Sequence, residues 1–126
     1  MIQLHEFDPV IYPFKIWICI AKDFKKVLDE NFLDYSTNKA IEFEDEGNTG
    51  AVTFAVIKKD TRKFGAVIFF PTKKSMSIRY IAHESSHAAK DLFDHIGAEV
   101  KHHEPFEYLL EWIAGCCEKV KKTKIK

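Results

Sequence analysis

The sequence predicts an α+β domain in which a small, mostly antiparallel sheet packs against two helices. The chain has 126 residues, which fits one ordinary domain spanning residues 1–126. Strand-like segments concentrate before residue 71, and the two longest helical patterns follow it. Hydrophobic residues make up 46% and charged residues 30% of the chain, the balance of a globular protein, and eleven phenylalanines indicate an aromatic core.

The N-terminal third of the chain is predicted to open with strands and to continue with a short helix. Residues 10–12 and 16–20 are rich in β-branched and aromatic side chains and flank Pro13, which indicates a bent strand or a strand pair. Apolar residues then recur at helical spacing, which predicts a short surface helix over residues 21–32. The charged segment 38–49 is predicted to be a loop or a weak strand.

The middle of the chain predicts a hairpin followed by the longest helix. Residues 51–57 and 64–70 are β-rich runs joined by a short polar turn, the pattern of two antiparallel strands. Hydroxyl side chains near Ser75 can cap a helix, and its apolar positions continue until Gly97. The stripe expected to face the core comprises residues 78, 81, 82, 85, 89 and 92.

A second amphipathic helix is predicted near the C-terminus. Pro105 suits its first turn, and its apolar stripe comprises Phe106, Leu109, Leu110, Ile113, Cys117 and Val120. A flexible basic tail is expected from about residue 121 to residue 126.

Charge and cysteine content exclude several classes of partner and compartment. Nineteen Lys and Arg balance nineteen Asp and Glu, so no global field favours nucleic acid. The N-terminus lacks signal-peptide character and no long apolar run occurs, so we expect a cytoplasmic protein without a membrane partner. The three cysteines are expected to be reduced, buried thiols, and the oligomeric state is left open.

The predicted long helix carries the motif His83-Glu84-Ser85-Ser86-His87, the H-E-x-x-H pattern. Side chains at i and i+4 of a helix lie about 5–6 Å apart at Cβ, so His83 and His87 can converge on one Zn²⁺ ion. Glu84 is then the candidate general base on zinc-bound water. The competing interpretation is a pair of solvated histidines with Glu84 as a surface charge.

A catalytic zinc requires a third protein ligand and an open fourth position. Glu104 and Glu107 share a polar helix face with Tyr108 and Glu111, so either glutamate could turn toward the histidines. Two tyrosines are candidate donors to a developing oxyanion, Tyr108 and Tyr80. Further possible ligands or donors are His95, His102 and His103.

With these motifs, residues 75–119 resemble the zincin metallopeptidases whose third ligand is a glutamate on the following helix. In that branch the glutamate heads an E-x-x-x-D pattern, which Glu107 matches with Glu111 in place of the aspartate. Residues 104–112 also resemble a segment of small H-E-x-x-H proteins of phages and their bacterial hosts. There the glutamate before Pro-Phe is the regular feature, so the resemblance ranks Glu104 first and Glu107 second.

The resemblance implies a minimal zincin-like domain acting as a zinc-dependent metallopeptidase on a peptide or protein substrate. Glu84 would be the base and Tyr108 the oxyanion donor, and the strand over 65–70 is expected to accept an extended peptide alongside it. The metzincin branch is excluded, because Lys90 and Phe93 stand where its glycine and third histidine would be. The alternative is a non-catalytic zincin-like module that binds metal or another protein, and for either function the resemblance implies a phage origin.

Overall fold

The computed structural model describes residues 2–43, 50–98 and 103–123, and at positions 103 and 104 it describes the backbone alone. The elements are β1 (Gln3–Phe7), β2 (Lys15–Ile20), α1 (Phe24–Asn31), β3 (Phe32–Asp34), β4 (Val52–Lys58), β5 (Phe64–Phe70), α2 (Ile78–Ile96) and α3 (His103–Lys122). This confirms the α+β class. Within the described ranges, no helix is both long enough and apolar enough to cross a lipid bilayer.

The five strands form one sheet in the order β1-β2-β5-β4-β3. Three neighbouring pairs are antiparallel and only β2 with β5 is parallel, so the prediction of a mostly antiparallel sheet is confirmed. The predicted hairpin is β4 and β5, with Val52 opposite Phe69 and Ile57 opposite Phe64. Since β5 lies between β2 and β4, the expectation that its edge accepts an extended peptide is wrong.

The start of the chain differs from the predicted strand pair. Residues 16–20 do form most of β2, but its antiparallel partner is β1 rather than residues 10–12. Asp8 explains the difference, because its carboxylate accepts a hydrogen bond from the Val10 backbone N–H at 2.8 Å and closes a turn there. Val10 lies in this turn with a φ of 61° and cannot continue a strand.

Alternation along the strands gives the sheet two buried faces. On β2, Ile16, Ile18 and Ile20 belong to the core beneath α2 and α3, whereas Trp17 and Cys19 belong to the core around α1. Positions 66, 68 and 70 of β5 repeat the first side and positions 67 and 69 the second. A sheet covered on both faces explains why β2 and β5 are almost continuously apolar.

The three helices lie close to their predicted positions. α1 begins after Asp23, whose side chain accepts a hydrogen bond from the Lys26 N–H, and it ends at Asn31, where the chain enters the short edge strand β3 that sequence analysis missed. α2 is capped by the Ser77 side chain and ends at Gly97 in the left-handed conformation that glycine favours. α3 continues through Lys122, so the helix includes the first two residues of the predicted flexible tail, and residues 124–126 lie outside the described part.

The buried face of α2 is rotated from the predicted stripe. Ile78 is 84% exposed and Ala82 is also exposed. The face that contacts the sheet and α3 comprises Ile81, Glu84, Ser85, Ala88, Ala89, Leu92 and Phe93. The rotation buries the glutamate of the H-E-x-x-H motif against the sheet, while both histidines stay exposed.

Candidate functional site

The two motif histidines converge on the exposed side of α2. Their Nε2 atoms lie 3.2 Å apart, and the ring centroids are 4.7 Å apart with the planes inclined at 75°. This follows from their spacing of four residues on a regular helix, which stacks the two side chains one turn apart. The two ring nitrogens are therefore within hydrogen-bond distance of each other at the protein surface.

Glu84 is held on the other side of His83, between α2 and the sheet. It is only 5% exposed, and its Oε1 accepts a hydrogen bond of 2.7 Å from the Thr53 hydroxyl on β4. The second carboxylate oxygen, Oε2, lies 3.9 Å from His83 Nε2. One oxygen is thus anchored to the sheet while the other lies toward the His83 ring.

A cavity of about 320 Å³ opens beside these groups. It is lined by Ala51, Arg79, Tyr80, His83 and Glu84. Its walls are therefore the first two turns of α2 and the residue just before β4. The cavity thus lies beside the exposed His83 ring and the largely buried Glu84 side chain.

Gly50 packs closely against Tyr80, which lines this cavity. A β-carbon on Gly50 would lie 2.6 Å from the Tyr80 phenolic oxygen, which is closer than real side chains approach. Glycine at position 50 thus allows the phenol to pack against the backbone that leads into β4. Tyr80 is one turn before Glu84 and lines the same cavity.

A third metal ligand is not found among the residues whose side chains are described. No set of three His, Cys, Asp or Glu side chains in that part of the chain is arranged to hold a metal ion. Glu107 is exposed on α3 and does not join the histidine pair in such a set. Glu104 belongs to the first turn of α3, but its side chain lies outside the described residues.

Tyr108 lies in a different place from the motif residues. It is 64% exposed and lines two adjoining grooves, one with Pro9, Ile11, Tyr12, Pro105, Leu109 and Trp112, the other with Glu111, Trp112, Gly115, Cys116 and Lys119. It does not line the cavity of His83 and Glu84, whereas Tyr80 does. The geometry thus favours Tyr80 over Tyr108 as a donor near the motif.

His95, another histidine considered as a ligand, contacts two aromatic residues instead of the motif histidines. Its Nδ1 lies 2.8 Å from the Tyr35 hydroxyl, and its ring stacks on Phe64 with centroids 3.7 Å apart. These contacts hold it near the C-terminal end of α2, two turns beyond His87. His102 and the His103 side chain lie outside the described residues.

Asp91 is the acidic side chain one turn beyond His87. Burial raises the pKa of this carboxyl above its usual range, and the nearby His87 acts in the opposite direction.

The three cysteines are buried free thiols, as predicted. Burial raises the pKa of Cys19 to about 12, of Cys116 to about 11 and of Cys117 to about 12. Thiols with such pKa values are protonated near neutral pH and are poor metal ligands or nucleophiles.

Comparison with known proteins adds no family assignment. No protein-family model, no curated protein and no solved structure matches this chain. Interpretation of the site therefore depends on its residues and their geometry.

Three residues at the site were missed or given less weight by sequence analysis. Tyr80 carried a usable signal, since it lies at helical spacing from His83 and Glu84. Thr53 carried a weaker one, because strand alternation gives its face of the sheet but not its position relative to the helix. Arg79 had a signal as well, four residues before His83, but an arginine on a helix surface is common.

Proposed function

We propose that this chain is a zinc-dependent metallopeptidase built on a minimal zincin-like domain. The observation that carries the proposal is the convergence of the two motif imidazoles beside a buried carboxylate that lines a cavity. A pair of solvated surface histidines gives no reason for Glu84 to be buried and anchored.

The spacing of the two imidazoles supports a zinc ion. Two nitrogens at about 2.0–2.1 Å from one tetrahedral ion are about 3.3 Å apart, and the Nε2 atoms are 3.2 Å apart. His83 and His87 would hold the ion, with Glu104 as the first candidate for the third ligand and Glu107 as the second. A zinc ion there would supply Lewis acidity and lower the pKa of bound water toward neutrality.

The role proposed for Glu84 is that of general base. Thr53 fixes one carboxylate oxygen at 2.7 Å, and the other lies 3.9 Å from His83 Nε2, which supports a role for it as a proton acceptor beside the proposed metal ligand. This oxygen can take the proton of the attacking water and transfer it to the leaving amine. Tyr80, which lines the same cavity, is the better-placed donor to the developing oxyanion, and Tyr108 is the second candidate.

The sheet offers a place for an extended substrate next to this carboxylate. β3 pairs with residues 56–58 of β4, and the Tyr35 N–H donates to the Ala55 carbonyl. Within the described residues, no strand pairs with the same side of residues 52–54. A peptide lying along this edge would pass Thr53 and Glu84, which supports a peptide as the substrate class.

The experiment is hydrolysis of an unbiased peptide library by the zinc-loaded chain, with and without a chelator. The matched variants are Glu84→Gln and Glu118→Gln, the latter an exposed carboxylate on α3. We expect Glu84→Gln to lose about 10²- to 10⁴-fold in rate while keeping its zinc, and Glu118→Gln to behave as wild type.

Two results would contradict the proposal in different ways. Full hydrolysis by Glu84→Gln would show that Glu84 is not the general base. Zinc bound stoichiometrically with no hydrolysis of any peptide would favour the alternative, a non-catalytic zincin-like module that binds metal or a protein partner.

A further inference from the structure

Arg79 is a charged side chain that lines the same cavity as His83 and Glu84. We propose that Arg79 is a specificity residue, which binds a carboxylate of the substrate next to the scissile bond. This inference rests on the proposed peptidase function and adds a substrate class to it.

The position of Arg79 on α2 directs it to the cavity. It precedes His83 by four residues, so the two side chains lie on the same helix face about one turn apart. A planar guanidinium can form two parallel hydrogen bonds to one carboxylate, which gives both charge and orientation. A substrate carboxylate held there would be one helical turn from the proposed metal ligand.

Within the described part of the chain, the Arg79 guanidinium has no partner that would prevent it from binding an anion. Arg79 forms no hydrogen bond or ion pair with any described residue, and it is exposed at the mouth of the cavity. Arg79 forms no ion pair with Glu84, whose two carboxylate oxygens lie 2.7 Å from the Thr53 hydroxyl and 3.9 Å from His83 Nε2. Arg79 can therefore accept an external anion without breaking a bond described in the structure.

The segment that leads into α2 carries cations and no carboxylate. From Pro71 to His83 there is no aspartate or glutamate, while three cations occur, namely Lys73, Lys74 and Arg79. The first turn of α2 contains no acidic residue, and an arginine there is unfavourable with respect to the helix dipole. The helix dipole therefore does not favour a cation at the position of Arg79.

A peptide can supply this carboxylate in two ways. It is either the side chain of an aspartate or glutamate near the cleaved bond, or the free carboxylate at the C-terminus. Both present the same planar anion to a guanidinium, so the experiment must separate them.

The test uses matched peptides that differ only in that carboxylate. One pair carries Glu or Gln beside the scissile bond and has an amidated C-terminus, and the other pair has a free or an amidated C-terminus and no acidic side chain. kcat and KM are measured for wild type, Arg79→Gln, Arg79→Lys and Lys74→Gln. Lys74 is exposed in the segment before α2 and does not line the cavity, so it controls for loss of one positive charge.

We expect wild type to favour the carboxylate member of one pair by about tenfold or more in kcat/KM, mainly through KM. Arg79→Gln should bring that ratio close to one, Arg79→Lys should keep part of it, and Lys74→Gln should keep all of it. The pair that shows the preference identifies the source of the carboxylate. Equal kcat/KM within both pairs for wild type would overturn the proposal while leaving the peptidase function in place.

A binding measurement separates failure of this inference from failure of the proposed function. The same four peptides, carrying a fluorophore, are titrated with the zinc-loaded Glu84→Gln chain, with and without Arg79→Gln. Tighter binding of a carboxylate peptide that depends on Arg79 supports the inference even where wild type cleaves nothing. Absence of any such difference overturns it.

Discussion

The Thr53 hydroxyl donates a hydrogen bond of 2.7 Å to the carboxylate of Glu84, joining β4 to α2 across 31 positions of the chain. The same hydroxyl lies 3.3 Å from the Glu84 carbonyl oxygen. Glu84 is buried, and a buried carboxylate requires a partner to offset its lost hydration. The sheet therefore fixes where the glutamate of the H-E-x-x-H motif is held.

Replacing Thr53 by valine should destabilise the fold. Valine has nearly the same shape but no hydroxyl, so one oxygen of the buried carboxylate would lose its partner at a cost of about 1–3 kcal/mol. Thr53→Ser keeps the hydroxyl and should cost clearly less. Urea unfolding of the three proteins measures this, and equal stability of the valine and serine variants would contradict the role assigned to the hydrogen bond.

Tyr80→Phe should reduce hydrolysis, whereas Tyr108→Phe should not. Tyr80 lines the cavity of Glu84, while Tyr108 lines separate grooves on α3. Loss of one oxyanion donor commonly costs on the order of 10²-fold in kcat, so we expect a loss of that order for Tyr80→Phe alone. A larger loss for Tyr108→Phe, measured at saturating substrate, would instead support the sequence-based assignment.

Gly50→Ala should alter the cavity with little effect on stability. The added methyl would overlap the end of the Tyr80 side chain, which is 42% exposed and can move aside at small cost. We expect the unfolding free energy to change by less than about 1 kcal/mol while kcat falls toward the Tyr80→Phe value. In a Tyr80→Phe background the same substitution should have a weaker effect on kcat, and an undiminished effect there would show that it does not act through the phenol.

The three thiols should resist alkylation in the folded protein. At pH 8 a thiol with a pKa of about 11 is ionised in roughly one molecule in a thousand, and the other two thiols are ionised less. Labelling by iodoacetamide should accelerate as pH rises toward 11, with Cys116 first because it lines a groove on α3. Mass spectrometry follows the labelling, with urea-unfolded protein as the fully reactive control. Complete labelling within minutes at pH 8 would contradict burial of the thiols.

Local patterns predicted most of the fold, because helix caps, apolar periodicity and turn residues act over a few positions. They predicted α2 up to Gly97 and the pairing of β4 with β5. They failed where contacts between distant parts of the chain determine whether a segment forms a strand. Gln3–Phe7 is a strand because it pairs with β2, and its polar residues gave little strand signal.

The candidate site divides in the same way. Convergence of His83 and His87 follows from helix geometry alone and was predictable. The burial of Glu84 was not, because it depends on which face of α2 contacts the sheet, and the apolar stripe chosen from the sequence was rotated from the true one. The position of Tyr108 likewise depends on how α3 lies relative to α2, which no local pattern records.

The most direct test of the account is the zinc content of protein purified without chelator, determined by elemental analysis. We predict about one zinc per chain for wild type, retention of zinc in Glu84→Gln and Glu107→Ala, and loss in His83→Ala, His87→Ala and Glu104→Ala, since removal of any ligand weakens a three-ligand site strongly. Retention of zinc in Glu104→Ala together with its loss in Glu107→Ala would identify Glu107 as the third ligand. Wild-type protein without zinc, even after addition of equimolar Zn²⁺ and dialysis, would contradict the metal centre and the peptidase with it.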